Sequence, residues 1–264
     1  MQFSSQDLDI LQFYIDSGVN EFISETSIDR FKEINIKKDS SSSVIELPKQ
    51  QHQTIVPKSG TIEALKEAEE LASKINSIEE LKTTLENFNS HTLKRTASHT
   101  VFAEGIETAK IMLIGDTPSA HEDRSGRCFI GEGGALLDKM LGAIGISREE
   151  NIYLTYMVNW YPPGNRLPSD AEISLSLPFI KKHIELINPD IIICLGDIAT
   201  KKLLHTSQSV TRLHGKWHEY AIEATGKTAE AIPMFRPEYL LASPSQKGKA
   251  WADLLKLQSK LSDI

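Results

Sequence analysis

The sequence predicts an α/β fold: a three-layer α/β/α domain around a central four-stranded, mostly parallel sheet, with an N-terminal helical extension. Two observations carry this. From about residue 100 onward, short buried-strand patterns alternate with longer helical stretches, and such alternation builds a parallel sheet covered on both faces. Before residue 88 the chain is helical or polar and holds the whole acidic excess.

Taken in order, residues 6–33 repeat apolar positions at three- and four-residue steps (Leu8, Leu11, Ile15, Val19, Phe22, Ile23), with Gly18 marking a break between two short helices. Residues 34–60 are polar, rich in serine and glutamine and punctuated by two prolines, so a flexible linker is expected there. Helical periodicity returns over 61–87, with Thr61 as a candidate cap and Ser77 followed by Glu80 as a second capping signature. The expected division is therefore 1–33, 34–60 and an α/β domain over 61–264.

Within that domain the four strand patterns are Lys110–Ile114, Ile152–Tyr156, Asp190–Cys194 and the weaker Ile232–Phe235. Helical stretches fall at Gly134–Ile144, Asp170–Ile187, Ile198–Leu204 and Gln246–Leu261. In such sheets ligands bind beyond the carboxyl ends of the strands. The loops that follow the strands are thus the place to look for chemistry.

Charge and composition narrow the classes. The net charge is −7, yet residues 1–87 hold 9 Lys/Arg against 16 Asp/Glu, whereas residues 88–264 hold 20 of each. The α/β domain is neutral and has no strong basic footprint, though a local basic face remains open to it. No apolar run reaches the ~18 residues of a membrane span, and no secretory signal pattern opens the chain. The cytoplasm is the expected compartment. The two cysteines, Cys128 and Cys194, are expected to be reduced thiols, and the histidines show no metal-ligand spacing.

The loops carry a resemblance. The segments Glu122-Asp123-Arg124, Gly126-Arg127, Phe129-Ile130-Gly131, Leu136–Leu141, Pro162-Pro163-Gly164-Asn165-Arg166, Gly215-Lys216-Trp217, Tyr239-Leu240-Leu241 and Trp251–Leu254 occur in order and at the right spacing for the family-4 uracil-DNA glycosylases. They look most like a longer bacterial subgroup with an N-terminal extension. The resemblance runs through about residues 88–262. It implies an enzyme that flips uracil out of DNA and hydrolyses its N-glycosidic bond, with uracil-containing DNA as partner and a monomer as the expected state.

That resemblance also implies roles. Phe129 would stack on the flipped base, and its alternative is a plain core aromatic. Asp116 takes the acidic position after the first strand, where the family usually has Glu; its alternative is a capping aspartate. Gly115, Thr117 and Tyr156 would line the base pocket, Tyr156 standing where the family has an Asn that reads the uracil edge. Arg236 replaces the usual His and would stabilise the leaving base, or else contact a phosphate. Ser119 replaces a glycine. Arg166, Tyr239, Leu240 and Leu241 would touch DNA, the last three as a minor-groove wedge or as plain core packing. The positions of the family's iron–sulfur ligands hold residues such as His91, Trp160 and Ser176, so neither cluster nor metal is expected; His91 is read as a surface residue. Ala242 stands where a basic residue is common.

Three functions follow: an active uracil-DNA glycosylase with altered site chemistry, a weakened or inactive DNA- or base-binding member of the same fold, and a protein-interaction role through the N-terminal segment. The first is preferred, on Asp116, Phe129 and the intact Pro162–Arg166 loop.

Overall fold

The computed structural model describes residues 59–261. The expected helices over 6–33 and nearly all of the expected linker lie outside the described residues. The first described helix, α1 (Ser59–Lys74), begins two residues before the expected boundary, so Thr61 lies inside it rather than capping it. Helix α2 (Ile78–Asn87) starts as its sequence requires: the Ser77 side chain accepts from the Glu80 amide, and the Glu80 carboxylate accepts from the Asn76 amide.

Among the described residues the sheet has six strands: β1 (Ala103–Gly105), β2 (Ile111–Gly115), β3 (Ile152–Tyr156), β4 (Ile191–Leu195), β5 (His218–Ile222) and β6 (Lys227–Met234), in the order β1-β3-β2-β4-β6-β5. The four expected strands are β2, β3, β4 and β6, and they pair in parallel. The expected count of four is corrected by one antiparallel strand at each edge, β1 against β3 and β5 against β6. Both escape notice in the sequence for a physical reason. β1 is only three residues long, and β5 is half-exposed, so neither has the continuous apolar run of a central strand.

Alternate residues of each central strand face opposite layers. Met112, Ile114, Tyr153, Ile192 and Cys194 pack with α1, α2 and helix α5 (Asp170–Ile187), through residues such as Phe88, Phe179 and Ile184. Leu113, Leu154, Ile193 and Ile232 pack with helix α4 (Gly131–Gly142) through Leu137 and Leu141, and with the C-terminal helix α9 (Lys247–Leu261) through Leu254 and Leu257. The result is the expected three-layer arrangement. Shorter α-helices are α3 (Ala120–Ser125), α6 (Asp197–Leu203), α7 (Val210–Leu213) and α8 (Pro237–Ala242), with single 3-10 turns at Leu93–Arg95, Pro163–Asn165 and Pro244–Gln246. None of the helices among the described residues is long and apolar enough to cross a membrane.

Topology fixes where a site can lie. From β2 the chain crosses to β3 on one side, and from β4 it moves to β6 on the other. The crevice therefore opens between the carboxyl ends of β2 and β4, at the point where the strand order reverses.

Candidate active site

Asp116, the first residue after β2, stands at that crevice and is 4% exposed. Its Oδ1 accepts from the amides of Ile198 and Ala199, each at 2.9 Å, and so caps α6. The capping alternative is therefore real, but it uses one oxygen. The other, Oδ2, lies 3.9 Å from Nη1 of Arg236, which follows β6. Burial pushes the Asp116 carboxyl up to about 6, against the opposing pull of the two amides and of Arg236. Gly196 makes room for this carboxylate: at φ +116°, a Cβ there would stand 2.4 Å from Asp116 Oδ2.

Beside Asp116 a cavity of about 110 Å³ is lined by Gly115, Thr117, Ser119, Phe129, Tyr156 and Arg236, among others. The expected pocket residues are thus brought together. A second cavity of about 310 Å³ adjoins it through the shared Asp116 and Arg236, and reaches Leu167, Lys201 and Tyr239. Ser119 has a positive function: it opens α3 with a capping box in which its side chain accepts from the Glu122 amide and Glu122 accepts from the Ser119 amide.

Phe129 adopts φ +48°, a left-handed conformation costly for a bulky residue. Arg148 holds that backbone in place. Its guanidinium donates to the carbonyls of Cys128 (2.7 Å) and Phe129 (2.5 Å) and pairs with Glu104 and Asp138. The Phe129 ring lies against the Tyr156 ring, centroids 4.4 Å apart and planes 24° from parallel. Tyr156 donates its hydroxyl proton to Glu122 Oε1 at 2.6 Å and accepts the Phe129 amide at 3.1 Å. Both rings crowd Gly115, where a Cβ would fall within 2.9 Å of each.

The chain matches the model of the uracil DNA glycosylase superfamily over residues 102–255. The chain belongs to that superfamily. Among its curated relatives, the type-4 uracil-DNA glycosylase of Archaeoglobus fulgidus is 31% identical over 169 residues, covering 62% of this chain and 83% of the relative. That of Thermotoga maritima is 35% identical over 151 residues, 57% of this chain and 76% of the relative. That of Saccharolobus solfataricus is 34% identical over 164 residues, 60% and 74% respectively.

Several expected roles change within this uracil-DNA glycosylase frame. The Tyr156 hydroxyl, expected to meet the uracil edge, already serves Glu122 and Phe129. Arg166, expected to reach DNA, places both guanidinium arms on Glu172 at 2.7 and 2.8 Å and also donates to the Leu167 carbonyl. This fork holds the Glu172 carboxyl down at about 2. Tyr239 and Leu241 stay 36% and 39% exposed, but Leu240 is fully buried against Phe235 and Ala250, and the segment is a short helix rather than a loop. Leu240 therefore belongs to the core packing, not to the wedge.

The site of the family's iron–sulfur cluster is tested by what fills it. His91 and Trp160 stack at 4.4 Å between centroids, and His91 Nε2 lies 3.2 Å from the Ser176 hydroxyl and 3.0 Å from the Glu172 carbonyl. His91 and Trp160 are fully buried, so the expectation of a surface His91 is corrected. Burial also pushes the His91 imidazole down to about 4. An indole, a hydroxyl and an imidazole already spent on a carbonyl are not four thiolates, and the chain's two cysteines are buried elsewhere. These residues do not fit such a cluster. Among the described residues no group of three or more His, Cys, Asp or Glu is placed to hold a metal.

Two further residues shape the site. Glu122 stands three residues after Ser119, the spacing of a capping box, but nothing in that spacing shows that it holds Tyr156. Leu167 is 75% exposed at the mouth of the larger cavity. Its signal in the sequence is a large aliphatic residue between Arg166 and Pro168 in a loop of proline, glycine and polar residues.

Proposed function

We propose that this chain is a uracil-DNA glycosylase that takes a flipped uracil from DNA and hydrolyses its N-glycosidic bond, acting as a cytoplasmic monomer without an iron–sulfur cluster. The observation that carries the reading is the pairing of Asp116 and Arg236 across the shared wall of the two cavities. Their charges match the two halves of the transition state. As the bond from C1′ to the base N1 breaks, its electron pair leaves with the base and the sugar becomes cationic. Asp116 stands on the sugar side, where its carboxylate stabilises that cation and orients the incoming water. Arg236 stands on the base side and donates to the O2 that gathers negative charge. Water adds to C1′, and its proton finishes on the departing base. Gly115, Thr117 and Phe129 form the walls of the base pocket, and Tyr239 and Leu241 face the DNA, while Arg166 stays on Glu172.

Purified protein incubated with a uracil-containing single-stranded oligonucleotide should generate abasic sites, scored by alkaline cleavage. A folded protein that binds the oligonucleotide and leaves it intact would favour the second reading, a member of the fold that holds DNA without cutting it. The contact of Tyr156 with Phe129 speaks for that second reading.

A further inference from the structure

A base stacked on Phe129 needs three things: the open face of the ring, a backbone donor at the base edge, and an acceptor for the base's own N–H. All three are present, and one side chain uses them. The Tyr156 ring lies on one face of the Phe129 ring, centroids 4.4 Å apart. Its hydroxyl oxygen takes the Phe129 amide proton, and its hydroxyl proton goes to Glu122. Glu122 is itself fixed by the amides of Ser119 (2.6 Å) and Ile130 (3.2 Å). A planar ring with one acceptor and one donor at its rim, six-membered like a pyrimidine, is thus held by the groups a pyrimidine would use.

We infer that Tyr156 is a built-in surrogate for the flipped base, so that the pocket receives uracil only when the Tyr156 side chain swings away from Phe129 and Glu122. The inference rests on the proposed use of this pocket for the base. It makes Tyr156 the residue that sets which bases enter, and how often. A base must offer Glu122 and the Phe129 amide at least what the tyrosine gives them. A purely apolar intruder cannot, because it would leave the Phe129 amide unpaired and take from Glu122 one of its three donors. The small cavity that remains beside Asp116 and Arg236 is where the sugar end of such a base would lie.

Free uracil is the probe, measured by ligand-observed NMR against the full chain. Apparent affinity scales with the fraction of molecules whose pocket is open. Tyr156→Asn, which removes the ring, should bind uracil about tenfold or more tightly than the native protein. Tyr156→Phe, which keeps the ring and drops both hydroxyl bonds, should fall between them. If Tyr156→Asn does not fold, the comparison of Tyr156→Phe with native decides alone. Equal uracil affinity in the native and variant proteins, or none in any folded variant, would overturn the inference. Excision by the native protein, run in parallel, keeps the two ideas separate. Excision together with equal affinities sinks the surrogate and spares the glycosylase. No excision together with uracil binding only after substitution does the reverse.

Discussion

Arg236 Nη1 stands 3.9 Å from Asp116 Oδ2, close enough to form an ion pair and too far for a hydrogen bond. Neither group is used up by the other. The arginine side chain remains 44% exposed while the carboxylate is buried, so the pair has one end in the protein and one end facing whatever enters the crevice.

Arg236→Ala should therefore lower the single-turnover excision rate by about 10²–10³-fold, as losing one transition-state donor does elsewhere, with DNA affinity nearly kept. Rapid-quench cleavage and salt-dependent binding check this together. Were Arg236 a phosphate contact instead, affinity would fall, the salt slope would drop by about 1, and the cleavage rate would hold.

Asp116 must be ionised to stabilise a cationic sugar, and its carboxyl titrates at about 6. Excision should fall as pH drops through 6, and Asp116→Asn should abolish that limb along with most of the activity. Stability should move the other way. A carboxyl raised above its unfolded value of 3.8 favours the folded state below 3.8, and that advantage is lost as pH rises through about 6. Asp116→Asn retains an oxygen for the Ile198 and Ala199 amides and removes the buried charge. At pH 8 it should gain on the order of 1–3 kcal/mol of stability. The gain should vanish near pH 4, and urea melts at the two pH values measure it.

Leu240 and Leu241 are neighbours with opposite tasks. Leu240→Ala should cost about 2–5 kcal/mol, since it empties a packed site. Leu241→Ala should stay within about 0.5 kcal/mol of native stability and weaken excision from duplex DNA, where a wedge matters, more than from single strands. Thermal melts and paired cleavage assays separate the two.

Arg148→Ala should release the carbonyls of Cys128 and Phe129, leave Glu104 without one of its two cationic partners and leave Asp138 without its ion pair. With four acceptors lost to one partly buried cation, a cost of about 2–4 kcal/mol is expected. Denaturant midpoints should register it, and excision should suffer further as Phe129 leaves its strained conformation.

Much of the fold was legible because the central strands β2, β3 and β4 are buried on both faces and so are written as short, mostly apolar runs. Helix α5 was legible over Asp170–Ile187, and the structure shows why it stops there: Ser169 and Glu172 form a capping box at its start and Asn188 takes a left-handed turn at its end. The edge strands were not, because an edge has no such run. At the site, the resemblance carried by the loops pointed to Gly115, Asp116, Phe129, Tyr156 and Arg236, and these five line one cavity. The resemblance could not reveal which partner each side chain prefers. Tyr156 reaches 34 positions back to Glu122, and Arg166 reaches six forward to Glu172. Such pairings depend on three-dimensional distance, which spacing along the chain does not encode. The burial of His91 was hidden for the same reason, its companions Trp160 and Ser176 being supplied by other parts of the fold.

The placement of the two thiols has a practical outcome. Cys128 lies in one packed layer beside the strained Phe129, and Cys194 lies on a central strand facing the other layer. Both are fully buried, and burial pushes the Cys194 thiol up to about 12 and Cys128 higher still. Neither reacts until its own layer opens. The chain thus carries two internal clocks. Timed alkylation followed by mass spectrometry would read the breathing of the Phe129 loop at Cys128 and the opening of the sheet at Cys194, without an introduced residue.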